Sequence, residues 1–322
     1  MGFWADRLSG RKRPPLANGC HQHVAHRIRT EPVSIDTGCT TRTVVGLPRG
    51  RLGGLPGADK RRAFVMKREE LVFFSTPPHR CSYLPQEDAV TLFADPRIQL
   101  DRELYSVLSH AGFRRSGNHV YRPRCPDCQA CVPVRIPVTH FTPSRRDRRN
   151  LKSNADIEIN IAPPRFELEH FNLYERYLKA RHPDGGMDVT SPEQYMSFLC
   201  SGWCDSLFLE FRIDRRLVCV AVTDVLNDGY SAVYTFFEPR ETRRGLGRFA
   251  ILSQIDLARA QGKDHIYLGY WIANSPKMEY KSEYRPLEEF SGGRWQPFRS
   301  DRMRAGPRAE DAAPDDMQDV QD

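Results

Sequence analysis

The sequence predicts an α+β chain: a mixed sheet flanked by helices, with a small cysteine-rich module ahead of it. Three observations carry that reading. Residues 207–213, 217–226 and 230–237 are apolar runs rich in Val, Phe and Tyr, joined by the short turns Asp214-Arg215-Arg216 and Asn227-Asp228-Gly229. That is the pattern of consecutive antiparallel strands. The third run leads through Thr242-Arg243-Arg244-Gly245-Leu246-Gly247-Arg248 into a helical stretch over 245–260 and a further strand at 265–269. Upstream, Cys125-Pro-Asp-Cys128-Gln-Ala-Cys131 sets three thiols at i, i+3 and i+6 between Pro123 and Pro133, which makes a compact loop.

The remaining elements follow from local signals. Residues 1–65 are rich in Arg, Pro, Gly and His, with no sustained helical or strand period. Such a segment cannot bury enough apolar surface to order itself, so a disordered or dispensable extension is expected. Met66, which opens an apolar pattern, would serve as a translation start. Residues 85–94 read as a helix with Pro85 at its first position. Residues 101–111 read as a second, with Asp101 as N-cap and Gly112 as stop. Residues 113–122 suit a hairpin turning at Ser116-Gly117-Asn118, and 131–137 a short strand. A basic helix over 144–154, a strand over 155–162 and helices over 166–181 and 191–199 complete the first half. The organisation expected is an extension over 1–65, a cysteine-rich module over 66–150, a sheet domain over 151–300 and a disordered acidic tail over 301–322.

Composition narrows the function classes. The hydrophobic fraction of 39% suffices for a packed core, and no apolar run approaches the length of a membrane span. Nine cysteines without a recognisable secretion signal favour a reducing, cytoplasmic setting over a disulfide framework. The formal charge of +7 is uneven. Residues 1–65 carry 12 Lys/Arg against 4 Asp/Glu, whereas residues 309–322 carry 6 Asp/Glu and no Lys/Arg. A moderately basic centre with a dense Arg run at 144–152 suits a polyanion partner.

Thiolates at Cys125, Cys128 and Cys131 have the spacing of zinc half-sites and iron–sulfur runs. A tetrahedral site needs a fourth ligand. Cys81 is the natural candidate, with His119 as the nearer alternative. The plainer reading is three small buried hydrophobes. The glycines of the 242–248 turn let backbone N–H groups at a helix N-terminus face an anion. Three strands, a Gly-x-Gly turn, a helix and a strand resemble the core of a GNAT-type acyltransferase, where that anion is the pyrophosphate of coenzyme A. Thr242 stands where that pattern has Arg or Gln, so the match is partial.

Several motifs stand in order along the chain. They are Cys81-Ser-Tyr-Leu-Pro85, Gly112-Phe-Arg-Arg-Ser-Gly117, His119-Val-Tyr-Arg-Pro123 and the cysteine run continued as Val132-Pro-Val-Arg-Ile-Pro137. Tyr234-Thr-Phe-Phe-Glu-Pro239, Tyr267-Leu-Gly-Tyr-Trp-Ile272 and Ser275-Pro-Lys-Met-x-Tyr-Lys281-x-x-Tyr284-x-Pro286-x-Glu288 follow. Over residues 73–298 the set resembles the aminoacyl-tRNA–protein transferase family, and within it the bacterial aspartate/glutamate leucyltransferase branch. Two departures stand out. Arginyl-transferases of eukaryotes carry Cys-x-x-Cys where this chain has Cys81-Ser-Tyr-Leu84, and Glu238 stands where Asp is the commoner family residue.

The resemblance implies transfer of leucine from Leu-tRNA to the α-amine of proteins beginning with Asp or Glu, marking them for N-degron degradation. Arginine transfer to the same acceptors is the first alternative, and CoA-dependent acetyl transfer the second. No cofactor is required for such chemistry, with zinc or an iron–sulfur cluster at Cys81, Cys125, Cys128 and Cys131 as the implied metal group. Glu238 and Asp224 are candidate bases. Tyr234, Tyr270 and Tyr280 are candidate hydroxyl donors, and Lys281 joins this catalytic set from the same motif block as Tyr280. Arg135, Arg145, Arg146, Arg149, Arg243 and Arg244 are candidates for holding the tRNA or the acceptor carboxylate, beside Gly245 and Gly247.

Overall fold

The computed structural model describes residues 71–181, 191–273 and 275–299, together with the backbone of a short strand at residues 42–44. Apart from that strand, the expected extension over 1–65 lies outside the described residues, as do Met66 and the acidic tail over 301–322.

Strands β1 (Arg42–Val44), β2 (Val72–Ser75), β3 (His79–Arg80), β4 (Asp88–Ala89) and β5 (Thr91–Ala94) open the chain. Helix α1 (Arg102–His110) follows, then the hairpin β6 (Arg114–Ser116) and β7 (His119–Pro123). Next come β8 (Val132–Pro137), α2 (Arg145–Ser153), β9 (Glu158–Ala162), α3 (Leu168–Arg181) and α4 (Pro192–Leu199). The second half runs β10 (Ser206–Ile213), β11 (Arg216–Val225), β12 (Gly229–Phe237), α5 (Leu246–Ala260) and β13 (His265–Trp271), ending in β14 (Glu288–Ser291) and β15 (Arg294–Pro297).

The helix expected over 85–94 is corrected to β4 and β5. Thr91-Leu-Phe-Ala94 alternates strictly, with Leu92 and Ala94 buried and Thr91 and Phe93 partly exposed. A period of two outweighs the helix-start signal of Pro85. The hairpin β14–β15 was not among the expected elements, and β1 forms inside a stretch that shows no strand period.

Strands β1-β2-β5-β7-β6 form one sheet, and β15-β14-β8-β13-β12-β11-β10-β9 form the larger one. The larger sheet is mixed, because only β12 and β13 run parallel. It draws β8 from ahead of residue 150 and sets it between β13 and β14. Helix α5 covers one face over Phe249, Leu252 and Ile255, while α3 and α4 cover the other through Tyr174, Leu178, Tyr195 and Leu199. Strand β11 is an interior strand and serves both faces: Val218 and Ala221 belong to the first core, and Leu217, Val220 and Val222 to the second. A third cluster packs Phe73, Leu92, Tyr105, Leu108 and Val120 against Cys204, Leu226 and Tyr267, so the smaller sheet shares its core with the larger.

The parallel pairing of β12 and β13 is brief. Gly229, Tyr230 and Ser231 pair with His265, Ile266 and Tyr267, and no pairing continues beyond them. Strand β12 then runs on to Phe237 against β11, while β13 runs on to Trp271 against β8. The sheet therefore opens between Val233 on one side and Gly269 on the other.

Candidate active site

At one end of α5 the turn after β12 shapes a cleft of about 540 Å³, lined by Arg146, Arg149, Asn150, Arg243, Arg244 and Arg248 together with Phe237 and the glycines 245 and 247. Helix α2 supplies Arg146, Arg149, Asn150 and Ser153 to this lining, and the capping box of Ser144 and Asp147 fixes its start. Asn150 of α2 donates to the carbonyls of Arg244 (2.8 Å) and Gly245 (3.2 Å), holding the turn against the helix. Gly245 sits at φ 59° and ψ 47°, a left-handed conformation that a side chain disfavours. A Cβ there would also approach Asn150 Nδ2 to 2.9 Å. Gly247 needs no such freedom, since its Cβ would make an ordinary 3.5 Å contact with Phe237. No side chain caps the first turn of α5, so its leading N–H groups are left for an incoming anion.

The arginines divide into two kinds. Arg146 pairs with Glu283 (2.5 Å), Arg244 with Asp156 (2.8 Å), and Arg248 with Asp147 and Glu283. Arg145, Arg149 and Arg243 are exposed and make no hydrogen bond or ion pair among the described residues. Arg135 lies elsewhere: it binds Glu288 (2.7 Å) and Tyr267, and stacks 4.3 Å over the Trp295 ring. Its guanidinium braces β8 against β13 and β15 and is not part of the cleft lining.

The expected catalytic groups are also dispersed. Asp224 is fully buried, where it accepts from Arg115 Nε and Nη2 (2.6 Å each), Ser206 (2.7 Å) and Tyr105 (3.1 Å). Its oxygens are taken by a closed ion pair under the smaller sheet. Glu238, 8% exposed at the end of β12, accepts from Arg176 of α3 at 3.1 Å. Tyr234 is partly exposed and packs its ring on Tyr174, Tyr177 and Phe198. Phe237 touches the same Tyr177 ring at 5.0 Å, so the cleft and the Tyr234 cluster adjoin. Tyr270 is buried, and its hydroxyl donates toward the carbonyls of Gly112 and Tyr121 (3.1 Å each).

Lys281 is buried, with Nζ donating to the Tyr270 carbonyl and lying 3.1 Å from the Met278 sulfur. Burial, and next the charge of Arg114, pull its pKa well below the ordinary lysine value. Tyr280 keeps 43% of its surface exposed, while desolvation pushes its hydroxyl up to about 12. Arg114 was absent from the expected set. It reaches the sheet opening, where Nη2 donates to the Val233 carbonyl at 3.3 Å. The adjacent arginines of Gly112-Phe-Arg-Arg-Ser-Gly117 on a strand were the available signal, since neighbours on a strand face opposite ways.

The four thiols share one neighbourhood. Burial and then Cys125, Cys81 and Cys128 push the Cys131 thiol up to about 12. Cys81 Sγ accepts from the N–H groups of Tyr83 and Leu84 (3.5 and 3.4 Å), and Cys125 Sγ from that of Val90 (3.5 Å). Among the described residues, no three His, Cys, Asp or Glu side chains converge on a point that a metal ion could take. The residues present do not form a ready metal cage.

Among the described residues no helix is long and apolar enough to cross a membrane. The family described as arginine-tRNA-protein transferase matches this chain twice, its N terminus over residues 79–149 and its C terminus over 169–291. The aspartate/glutamate leucyltransferase of Pseudomonas syringae pv. tomato is 54% identical over 225 residues, covering 70% of this chain and 96% of that protein. The protein of the same name from Pseudomonas fluorescens strain SBW25 is 55% identical with the same coverage. Of solved structures, FemX aligns over 64% of this chain and 80% of its own at 9% identity, with a TM-score of 0.36. The chain belongs to the aminoacyl-tRNA–protein transferase family, in its bacterial aspartate/glutamate leucyltransferase branch.

Proposed function

We propose that this enzyme moves leucine from Leu-tRNA to the α-amine of proteins that begin with Asp or Glu, in the cytoplasm, as a step that marks them for degradation. The observation that carries this reading is 54% identity to an aspartate/glutamate leucyltransferase along 96% of that protein's length. The opened mixed sheet with its turn into α5 is read as a GNAT-type acyltransferase core, and the cysteine loop with the smaller sheet as its N-terminal module.

The arginine cleft at α5 suits the phosphates of the tRNA end, with Arg149 and Arg243 as its free cations and Arg145 beside them on α2. The chemistry is attack by a neutral amine on an ester. An α-amine with a pKa of about 7.7–8.0 is substantially neutral at physiological pH. A carboxylate or water chain therefore suffices as its base, and Glu238, four residues after Tyr234 at the end of β12, is the candidate carboxylate. The tetrahedral intermediate needs hydroxyl or N–H donors, and the departing ribose 3′-oxygen needs a proton. Tyr280 and Tyr234 offer hydroxyls for these tasks, since burial keeps both phenols protonated across the neutral range. Lys281, whose pKa burial and then Arg114 hold well below the ordinary lysine value, offers a further amine beside Arg114. Zinc or an iron–sulfur cluster would require Cys81, Cys125, Cys128 and Cys131 to draw together, so no step is assigned to a metal.

A coenzyme A pyrophosphate would suit the same helix N-terminus, and the test separates the donors. The protein is incubated with labelled Leu-tRNA, Arg-tRNA or acetyl-CoA and peptides starting with Asp, Glu, Lys or Met. Leucine on the Asp and Glu peptides alone is the expected outcome. Arginine transfer without leucine transfer, or acetylation, contradicts it.

A further inference from the structure

Arg114 and Arg115 are neighbours on β6 and meet opposite fates. Arg115 is buried and neutralised by Asp224. Arg114 extends into the opening between β12 and β13, with Nη2 on the Val233 carbonyl at 3.3 Å. On the other side it lies against Gly269, where an added Cβ would stand 2.8 Å from Nη1 and 3.3 Å from Cζ. Gly269 therefore leaves the slot that the guanidinium occupies, and its φ of 75° also favours glycine. The guanidinium spans the gap where the sheet ceases to pair.

The bond to Val233 is the only side-chain hydrogen bond Arg114 makes among the described residues, and no Asp or Glu there pairs with it. Its electrostatic neighbours are the phenols of Tyr83, Tyr105, Tyr121, Tyr270 and Tyr280, and the amine of Lys281. A half-buried cation beside a second basic group is costly without a counter-charge. Arg135, Arg146 and Arg244 already hold carboxylates, whereas Arg145, Arg149 and Arg243 stand in solvent. Arg114 is a half-buried guanidinium with unspent donors, held between Val233 and Gly269 with phenols as its electrostatic neighbours. A planar guanidinium fork matches a carboxylate in bidentate geometry, and a half-buried one can be reached by a short side chain.

We propose that Arg114 receives the side-chain carboxylate of the acceptor's N-terminal Asp or Glu and so sets the acidic specificity of the enzyme. This rests on the leucyl-transfer reading above.

The test is kcat/KM for matched peptides beginning Asp or Asn, and Glu or Gln, with the wild type, Arg114→Gln and Arg114→Lys. Affinity for Leu-tRNA and thermal melting are measured in parallel. Removing a charged hydrogen-bond partner should cut the Asp-over-Asn preference on the order of 100-fold. Leu-tRNA affinity should stay unchanged, and Arg114→Lys should keep part of the preference. An equal loss on Asp and Asn peptides, or a loss of Leu-tRNA affinity, overturns the proposal. If Arg114→Gln does not fold, Arg114→Lys decides, and a wild-type Asp-over-Asn ratio in that variant overturns it. A wild type that transfers leucine to none of the peptides defeats the transfer reading itself, and this assignment with it.

Discussion

At the scale of single residues, the same side-chain type plays unlike parts according to what surrounds it. Asp224 is a carboxylate under four donors with no exposed surface, so its replacement acts on the fold. Asp224→Asn leaves the buried Arg115 without its counter-charge, and a loss of about 3–5 kcal/mol is expected by urea denaturation. Lys281 is the reverse case, a buried base whose charge is disfavoured by burial and by Arg114. Its pKa is depressed in the folded state, so between that value and the unfolded value near 10.4 the unfolded chain binds the extra proton. Stability therefore rises with pH through this window. Relative to wild type, Lys281→Met should be more stable at pH 7 than at pH 10, which paired denaturation curves at the two pH values would show. A stability difference independent of pH would contradict a depressed lysine. The sequence named Asp224 by type and Lys281 by its motif block. Neither the Arg115 partner of the first nor the Arg114 neighbour of the second could be read before the strands were placed, because both come from the distant hairpin β6–β7 region.

At the scale of elements, signals that are local in the chain were legible and signals that depend on partners were not. Asp101 caps α1, Ser144 and Asp147 box α2, and Ser191 caps α4, each as residue type and spacing dictate. Strands β10 to β12 announce themselves by composition. Residues 85–94 misled because Pro85 resembles a helix start, while the alternation of Thr91 to Ala94 has meaning only against the buried face of β2 and β7. The turn into α5 was visible as Gly245-Leu-Gly247, yet only Gly245 is constrained by its backbone. Gly245→Ala should cost roughly 1–2 kcal/mol from the left-handed conformation. It should also displace Asn150 and raise KM for Leu-tRNA, with the Asp-over-Asn preference retained. An unchanged KM for Leu-tRNA would separate this turn from the donor site.

At the scale of the whole molecule, two positions on one sheet carry the account. The arginine cleft lies where β12 turns into α5, and Arg114 lies where β12 parts from β13. Tyr177, Phe237 and Tyr234 connect them through ring contacts of 5.0 and 6.3 Å. Strand β8, which directly follows the cysteine loop, sits inside the large sheet, and the third core cluster joins the two sheets. The cysteine loop is thus tied by its own chain to the strand beside β13. The order of motifs along the chain was enough to reach the family. The opening of the sheet was not, because it depends on where the β12–β13 pairing stops, a property of three residues on each strand. The most direct measurement is mass spectrometry of a peptide beginning with Asp after incubation with this protein and Leu-tRNA. The account predicts one leucine in amide linkage to the α-amine of that Asp, with the enzyme itself unmodified. An unmodified peptide, an arginine in that position, or a leucyl group retained on the enzyme would contradict it.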